Sequence, residues 1–220
     1  MVKQNIEKLI NVIKAEKPYY LLLNAFRCHQ AFNADKRKQR LARGLIKKYC
    51  SAFVETGTLK GTTSAWVAKL FPKMPIYTCE IVPRLFRFSK NRLACFPNVK
   101  VYNDASVDFL KKIPAKENDT PFIFLDAHSQ KDINFSYSKN PLPEELEIIF
   151  NRFGKAVILI DDFEVPGKDF SCTFKLADIE KTIKENEKKD KLSFIYPDYT
   201  EKEAGIKRIA GYIIVLKNIE

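Results

Sequence analysis

From residue 51 onward, short apolar runs alternate with stretches of helical periodicity, and this alternation limits what the chain can become. The runs lie at 52–55, 76–80, 99–103, 122–126 and 156–161. Helical patterns follow most of them, at about 61–71, 83–95, 105–113, 143–152 and 173–188. A strand that returns through a helix pairs in parallel with its predecessor, since only a crossover brings the chain back to the same edge. Such crossovers are right-handed, and their helices cover both faces of the sheet. The pattern therefore predicts an α/β chain with a doubly wound, mostly parallel sheet. The end of the chain breaks the alternation. Runs at 191–196 and 209–216 are separated only by a polar loop, 197–208, which predicts an antiparallel pair. No internal repeat or long linker interrupts the series.

The first 50 residues have a different texture. Ile6, Leu9, Ile10 and Ile13 predict an amphipathic helix over 3–16, which Pro18 ends. Residues 19–33 are a candidate second helix, and 35–49 a third, with Leu41, Leu45, Ile46 and Tyr49 as its apolar stripe. Lys36, Arg37, Lys38, Arg40, Lys47 and Lys48 lie elsewhere around that helix, joined by Arg43. The formal net charge of the chain is +11, of which residues 1–50 carry +9 and residues 51–220 only +2. The chain thus reads as a basic helical extension, 1–50, on a nearly neutral domain, 51–220. The basic helix reads as an ordinary solvated face or as a contact for RNA phosphates or anionic lipid, and the N-terminal helices together offer a homo-oligomer contact. The first is favoured, because no RNA-binding module or stacking-aromatic motif accompanies the charges.

Five cysteines without a CxxC, and only two histidines, argue against a zinc site of ordinary spacing and for a reducing compartment. Cys79, inside an apolar run, reads as a buried thiol. His29 reads as structural or surface. The N-terminus has no uncharged core of a signal peptide, and no run approaches 18 apolar residues, so a cytosolic protein without a membrane span is expected.

The chemistry is carried by strand ends. Phe53-Val54-Glu55-Thr56-Gly57-Thr58-Leu59-Lys60-Gly61 is a strand ending in an acid, followed by two glycines before a helix. In an open α/β sheet ligands bind beyond the carboxyl ends of the strands, where this first turn lies. Gly57 permits a tight turn, and Gly61 lets the helix pack near the strand. The spacing is neither GxGxxG nor a phosphate loop. The next run ends at Glu80, placed to accept from the hydroxyls of a ribose. The third ends at Asn103-Asp104, where a carboxylate can accept from an adenine amino group. Each acid alone has the plainer reading of a solvated strand end; three in order are harder to dismiss.

With these residues the sequence resembles the class I S-adenosylmethionine-dependent methyltransferases over about residues 50–216. FVETGT, PFIFLDAH, PLPEELEII and ILIDDF look like a group of bacterial methyltransferase-domain proteins, mostly of unassigned substrate. The resemblance implies a Rossmann-like seven-stranded sheet with the last strand antiparallel. It implies cofactor contacts from Glu55, Thr56, Gly57, Thr58 and Gly61, ribose contact from Glu80, adenine contact near Asp104 and Ala105, and a further contact from Asp126.

The fourth and fifth strands run into Asp126-Ala127-His128 and Asp161-Asp162. Adjacent parallel strands bring these ends together, and three carboxylates suit one hard divalent cation such as Mg²⁺. The related metal-dependent O-methyltransferases use acids at the positions that match Asp126, Asp161 and Asp162. The plainer reading makes Asp161 a cap and Asp162 a solvated acid. His128 is a candidate general base for a hydroxyl, with Asp126 beside it, or else a hydrogen-bonded loop histidine. Loops at 134–143 and 163–172 are candidate walls of an acceptor site, and Gly154 is a candidate helix end.

The expectation is a methyltransferase that uses S-adenosylmethionine and acts on the hydroxyl of a small molecule or of a sugar or glycan precursor, with Asp126, Asp161 and Asp162 binding Mg²⁺ or orienting the acceptor. The rivals are an RNA methyltransferase that uses the basic helix, a non-catalytic cofactor-binding protein on the same fold, and a nicotinamide-dependent dehydrogenase.

Overall fold

In a computed structural model of the chain, described here for residues 28–114, 116, 118–127, 140–200, 203 and 210–220, the expected alternation becomes one seven-stranded sheet. The strands are β1 (Ala52–Thr56), β2 (Ile76–Cys79), β3 (Val99–Tyr102), β4 (Pro121–Leu125), β5 (Ala156–Asp161), β6 (Leu192–Ile195) and β7 (Tyr212–Lys217). Their order is β3-β2-β1-β4-β5-β7-β6. The first five run parallel, and β7 is antiparallel to both β5 and β6. The sheet is therefore the doubly wound one that the spacing predicts, with its reversal of strand order between β1 and β4.

Among the described residues six α-helices of more than one turn cover it: α1 (Lys36–Tyr49), α2 (Thr62–Leu70), α3 (Pro83–Leu93), α4 (Ser106–Lys112), α5 (Leu142–Arg152) and α6 (Leu176–Asn186). Side chains alternate across a strand, so each central strand feeds two cores. Phe53, Phe122, Phe124, Val157 and Ile214 face one core with Ala42 and Ile46 of α1 and Val67 of α2. Val54, Ile123, Ile158 and Val215 face the other, with Phe109 of α4, Leu146 and Ile149 of α5, and Ile179 of α6. Every residue of β1, β4 and β5 is buried, which is why they read as continuous apolar runs. Edge strands β3 and β6 are only partly covered. Phe53 and Phe122 sit in register on neighbouring strands with their rings stacked 5.8 Å apart. Cys79 is buried, as its apolar run implies.

Residues 28–49 are built into this body. Asp35 caps α1, its carboxylate accepting from the backbone N–H of Arg37 at 2.9 Å and of Lys38 at 3.0 Å. Its outer oxygen accepts from Tyr199, and the Arg37 guanidinium lies 5.0 Å from the centre of the Tyr199 ring. The buried line of α1 is Lys38, Ala42 and Ile46, four residues apart, with Leu41, Leu45 and Tyr49 half-buried beside it. Lys38 therefore points inward, contrary to its expected place on a solvated face.

The second helix expected over 19–33 is not continuous where it is described. Cys28–Ala34 forms 3₁₀ turns broken by an extended Ala31, and Phe32, Asn33 and Ala34 all have positive φ. Tertiary contacts override helical propensity here. The Phe32 ring packs edge-on against Trp66 and Phe124, and its N–H donates to Thr63 Oγ1. Gly154 lies beyond the cap of α5, Phe153, and is not among the left-handed glycines. The helix expected over 3–16 lies outside the described residues. Among the described residues no helix is long and apolar enough to cross a membrane.

Candidate functional site at the carboxyl ends of the strands

At the end of β1 the chain makes the tight turn that its glycines imply. Gly57 has φ +83°, and its N–H and that of Thr58 both donate to Cys79 O at the end of β2. A Cβ on Gly57 would stand 2.3 Å from the backbone oxygen of Asp126, so the β1 turn and the end of β4 touch through backbone alone. Gly61, φ +69°, caps α2, and a Cβ there would meet the Leu93 side chain at 3.0 Å. Between them Leu59 is also left-handed, and its N–H is held at 2.8 Å by Glu80. Left-handed backbone at a non-glycine residue persists where its surroundings hold it, and it clusters at ligand sites.

Glu55 is buried beneath this turn. Its Oε2 accepts from Ser64 of α2 at 2.6 Å and from Thr78 of β2 at 2.7 Å. The single proton of Thr78 is thereby committed, so Thr58 is the donor in its contact with Thr78. Burial pushes the Glu55 carboxyl up to about 7; the two hydroxyls pull it down, and the nearby Glu80 charge adds a smaller upward push. Glu80, also buried, accepts from Leu59 N–H and, through Oε1 at 2.9 Å, from Val82 N–H. A carboxylate has about four acceptor directions, so both oxygens keep capacity for a ligand. Asp104, expected near an adenine, is ion-paired with Lys112 at 2.7 Å; Ala105 caps α4 beside it. Asn103 braces the end of β2 by donating to Glu80 O and Ile81 O.

The ends of β4 and β5 hold the second group. Asp126, partly buried, donates its N–H to Thr56 O, and burial with the charges of Asp161 and Asp162 raises its carboxyl well above the ordinary range. Asp161 is fully buried, and both of its oxygens are engaged. Oδ1 accepts from Lys38 Nζ at 2.6 Å and Oδ2 from Asn33 Nδ2 at 3.0 Å. Lys38 is 1% exposed, and its ammonium also lies 4.9 Å from the centre of the Tyr212 ring on β7. Asp162 is left-handed at φ +52°, and its carbonyl accepts from Thr173 and Phe174 N–H. Of the three acids expected to hold Mg²⁺, Asp161 is thus bound to a lysine ammonium, whose charge also acts on Asp126 and Asp162. A divalent ion beside that ammonium would meet strong like-charge repulsion. Among the described residues no three His, Cys, Asp or Glu side chains converge on a metal position. With Lys38 in place the donor set does not fit Mg²⁺.

Sequence reasoning missed Lys38, Asn33 and Glu145. Lys38 had a signal, the four-residue spacing with Ala42 and Ile46, but its charge hid it. Glu145 of α5 is fully buried beside the hydroxyls of Thr56 and Ser106, and neither of its oxygens makes a well-formed hydrogen bond among the described residues. Burial raises it to about 7 against the pull of those hydroxyls. Its only sequence signal was its place in PLPEELEII. His128 and residues 128–139, most of the 134–143 loop, lie outside the described residues.

No protein-family model and no curated protein matches the sequence. Solved structures do match in fold. A putative O-methyltransferase from Klebsiella pneumoniae superposes with a TM-score of 0.59 at 15% identity, over 84% of this chain and 81% of that one. An O-methyltransferase from Bacillus cereus in complex with SAH gives 0.57 at 16%, over 92% and 90%. An rRNA methylase from Streptococcus thermophilus gives 0.54 at 14%, over 84% and 98%. The strand order, the antiparallel β7 and this coverage give the chain the Rossmann-like fold of the S-adenosylmethionine-dependent methyltransferases.

Proposed function

We propose that the chain is an S-adenosylmethionine-dependent methyltransferase that transfers to a hydroxyl of a small molecule or of a sugar or glycan precursor. The observation that carries the reading is the cradle at the switch between β1 and β4. There Gly57 meets the Asp126 backbone with no room for a Cβ, flanked by the buried carboxylates Glu55 and Glu80. The residues fit the cofactor: Glu55 offers a buried anion for an ammonium group, and Glu80 keeps lone pairs for ribose hydroxyls. Thr56 and Thr58 line the same turn, and Asp104 and Ala105 flank the place for a base. When bound, the sulfonium supplies a methyl group that is already activated.

What remains for the protein is alignment and proton removal. Burial and the neighbouring acids raise the Asp126 carboxyl above the ordinary aspartate range, so it holds a proton more tightly than a free aspartate, and His128 is the candidate general base beside it. No step runs through a metal ion. Calorimetry tests the reading: S-adenosylhomocysteine should bind and NAD should not. Tight NAD binding without S-adenosylhomocysteine binding would overturn it. If S-adenosylhomocysteine binds but no hydroxyl acceptor of a broad panel is methylated, the fold is a non-catalytic cofactor-binding protein.

The exposed face of α1 favours a second reading, methylation of RNA. Lys36, Arg37, Arg40, Arg43, Lys47 and Lys48 are all exposed there. That reading requires salt-sensitive RNA binding at low ionic strength, and its absence would remove it.

A further inference from the structure

We propose that Lys38 is the resident cation of the acceptor end of this site, standing where a divalent ion would be held, so that the chain works without a metal. Its ammonium is 2.6 Å from Asp161 Oδ1, at the carboxyl end of β5, and 1% exposed. Its charge also acts on Asp126 and Asp162 at the neighbouring strand ends, both partly buried. One fixed positive charge therefore already sits on Asp161 and acts on the two carboxylates beside it. A lysine donates three hydrogen bonds from a point charge and needs no coordination shell, so it can hold Asp161 in a drier place than a hydrated ion can.

The way the chain delivers Lys38 separates this from a chance ion pair. Lys38 begins the buried line of α1, and the Asp35 cap fixes its backbone N–H at 3.0 Å. Immediately upstream, Phe32, Asn33 and Ala34 run left-handed in succession. L-residues avoid that conformation, and asparagine tolerates it best of the three. It is Asn33 that reaches Asp161 Oδ2 at 3.0 Å. Asn33 is exposed while Asp161 is fully buried, so the cluster lies one side chain below solvent. The strained turn thus brings a cation and an amide donor together onto one carboxylate, 123 residues from Lys38 and 128 from Asn33. Lys38 is a positioning residue: it fixes Asp161 and balances the acids beside which an acceptor hydroxyl would lie. Describing this as the acceptor end rests on the methyltransferase reading; the place of Lys38 among the acids does not.

Mn²⁺ is the probe, titrated alone into the full chain by calorimetry and followed by electron paramagnetic resonance. The wild type should take up no Mn²⁺ that depends on Asp161. Lys38→Met keeps the apolar stem and removes the charge; with Asp161 released and the neighbouring acids free to turn toward it, the variant should gain one Mn²⁺ site that the wild type lacks. Adding Asp161→Asn should abolish that site. A merely structural ion pair would lower stability in Lys38→Met without creating a metal site. The proposal is overturned if the wild type binds Mn²⁺ and Asp161→Asn removes it. It is also overturned if Lys38→Met, folded by circular dichroism, gains nothing. Lys38→Gln, which retains a donor toward Asp161, is the second variant should the first not fold, and the wild-type titration decides if neither does. S-adenosylhomocysteine binding is measured on the same samples. Its absence would sink the methyltransferase reading and leave the Mn²⁺ result standing.

Discussion

At Gly57 one hydrogen atom separates a working turn from a broken one. Its φ of +83° strains any L-residue by about 1–2 kcal/mol, and a Cβ would lie 2.3 Å from the backbone oxygen of Asp126, which has no side-chain freedom to yield. Gly57→Ala should lose about 2–4 kcal/mol in urea unfolding and lose S-adenosylhomocysteine binding. Gly154→Ala, with nothing within 4 Å, should stay within about 0.5 kcal/mol. Glu55 makes the second prediction at this scale. Its carboxyl sits at about 7 in the folded chain against an ordinary 4.5, so between those values the folded state holds more protons than the unfolded one. Stability therefore falls as pH rises through that window, by about 3 kcal/mol if Glu55 acts alone, and Glu55→Gln should flatten that part of the profile. An ammonium group bound at Glu55 favours the ionised carboxylate and reverses the shift. S-adenosylhomocysteine binding near pH 7 should then release a proton, seen as a binding heat that changes with the ionisation enthalpy of the buffer. A heat independent of buffer would place the ligand's ammonium away from Glu55.

Among the elements, α1 and the turn before it carry the largest consequence, because Asp35 ties them to the body in two directions. It caps α1 through two backbone N–H groups and accepts from Tyr199, whose hydroxyl that bond, with burial, holds in its protonated form well above the ordinary range. Asp35→Ala should cost about 2–3 kcal/mol, the sum of a lost cap and a buried hydroxyl left without its acceptor. Lys47→Ala, at the exposed end of the same helix, should change stability little, and equilibrium unfolding of the two variants checks the contrast. The same elements show where local reading stops. β5 occupies 156–161, the same residues its apolar run marks, because length and pattern are local properties. The antiparallel β6–β7 pair was legible because no helical apolar periodicity in the sequence separates its two runs. The positions of Glu55 and Gly57 at the end of β1 and of Glu80 just beyond β2 were legible, because the apolar runs fix where the carboxyl ends of parallel strands fall. The broken turn at 31–34 was not, since its φ values answer to Trp66, Phe124 and Thr63, more than 30 residues away. Glu145 was hidden for the same reason: only folding sets it beside Thr56 and Ser106.

For the whole molecule, the +11 charge has to be placed before it can be interpreted. The body that carries the site is close to neutral, and the excess belongs to the first 50 residues. Within the described part of that piece the charge divides again. Lys38 is turned into the acids of the sheet, while Arg40, Arg43, Lys47 and Lys48 face solvent along α1. Long exposed side chains of this kind contribute little to stability, so changing all four to Gln, which takes the chain from +11 to +7, should leave unfolding within about 1 kcal/mol. The cradle at Gly57 is formed by β1, β2 and β4, so affinity for S-adenosylhomocysteine should also be unchanged. The discriminating measurement is RNA binding across salt. A small-molecule enzyme with a basic face should bind RNA only weakly, with dissociation constants of about 10⁻⁴–10⁻⁶ M at physiological salt, and the quadruple variant should lose even that. Each phosphate contact removed takes close to one unit from the slope of log affinity against log salt, so the slope counts how many of the four side chains were engaged. A wild-type affinity near 10⁻⁸ M for one RNA sequence at physiological salt, lost in the variant, would be specific recognition, and it would move the acceptor from a sugar hydroxyl to a nucleotide.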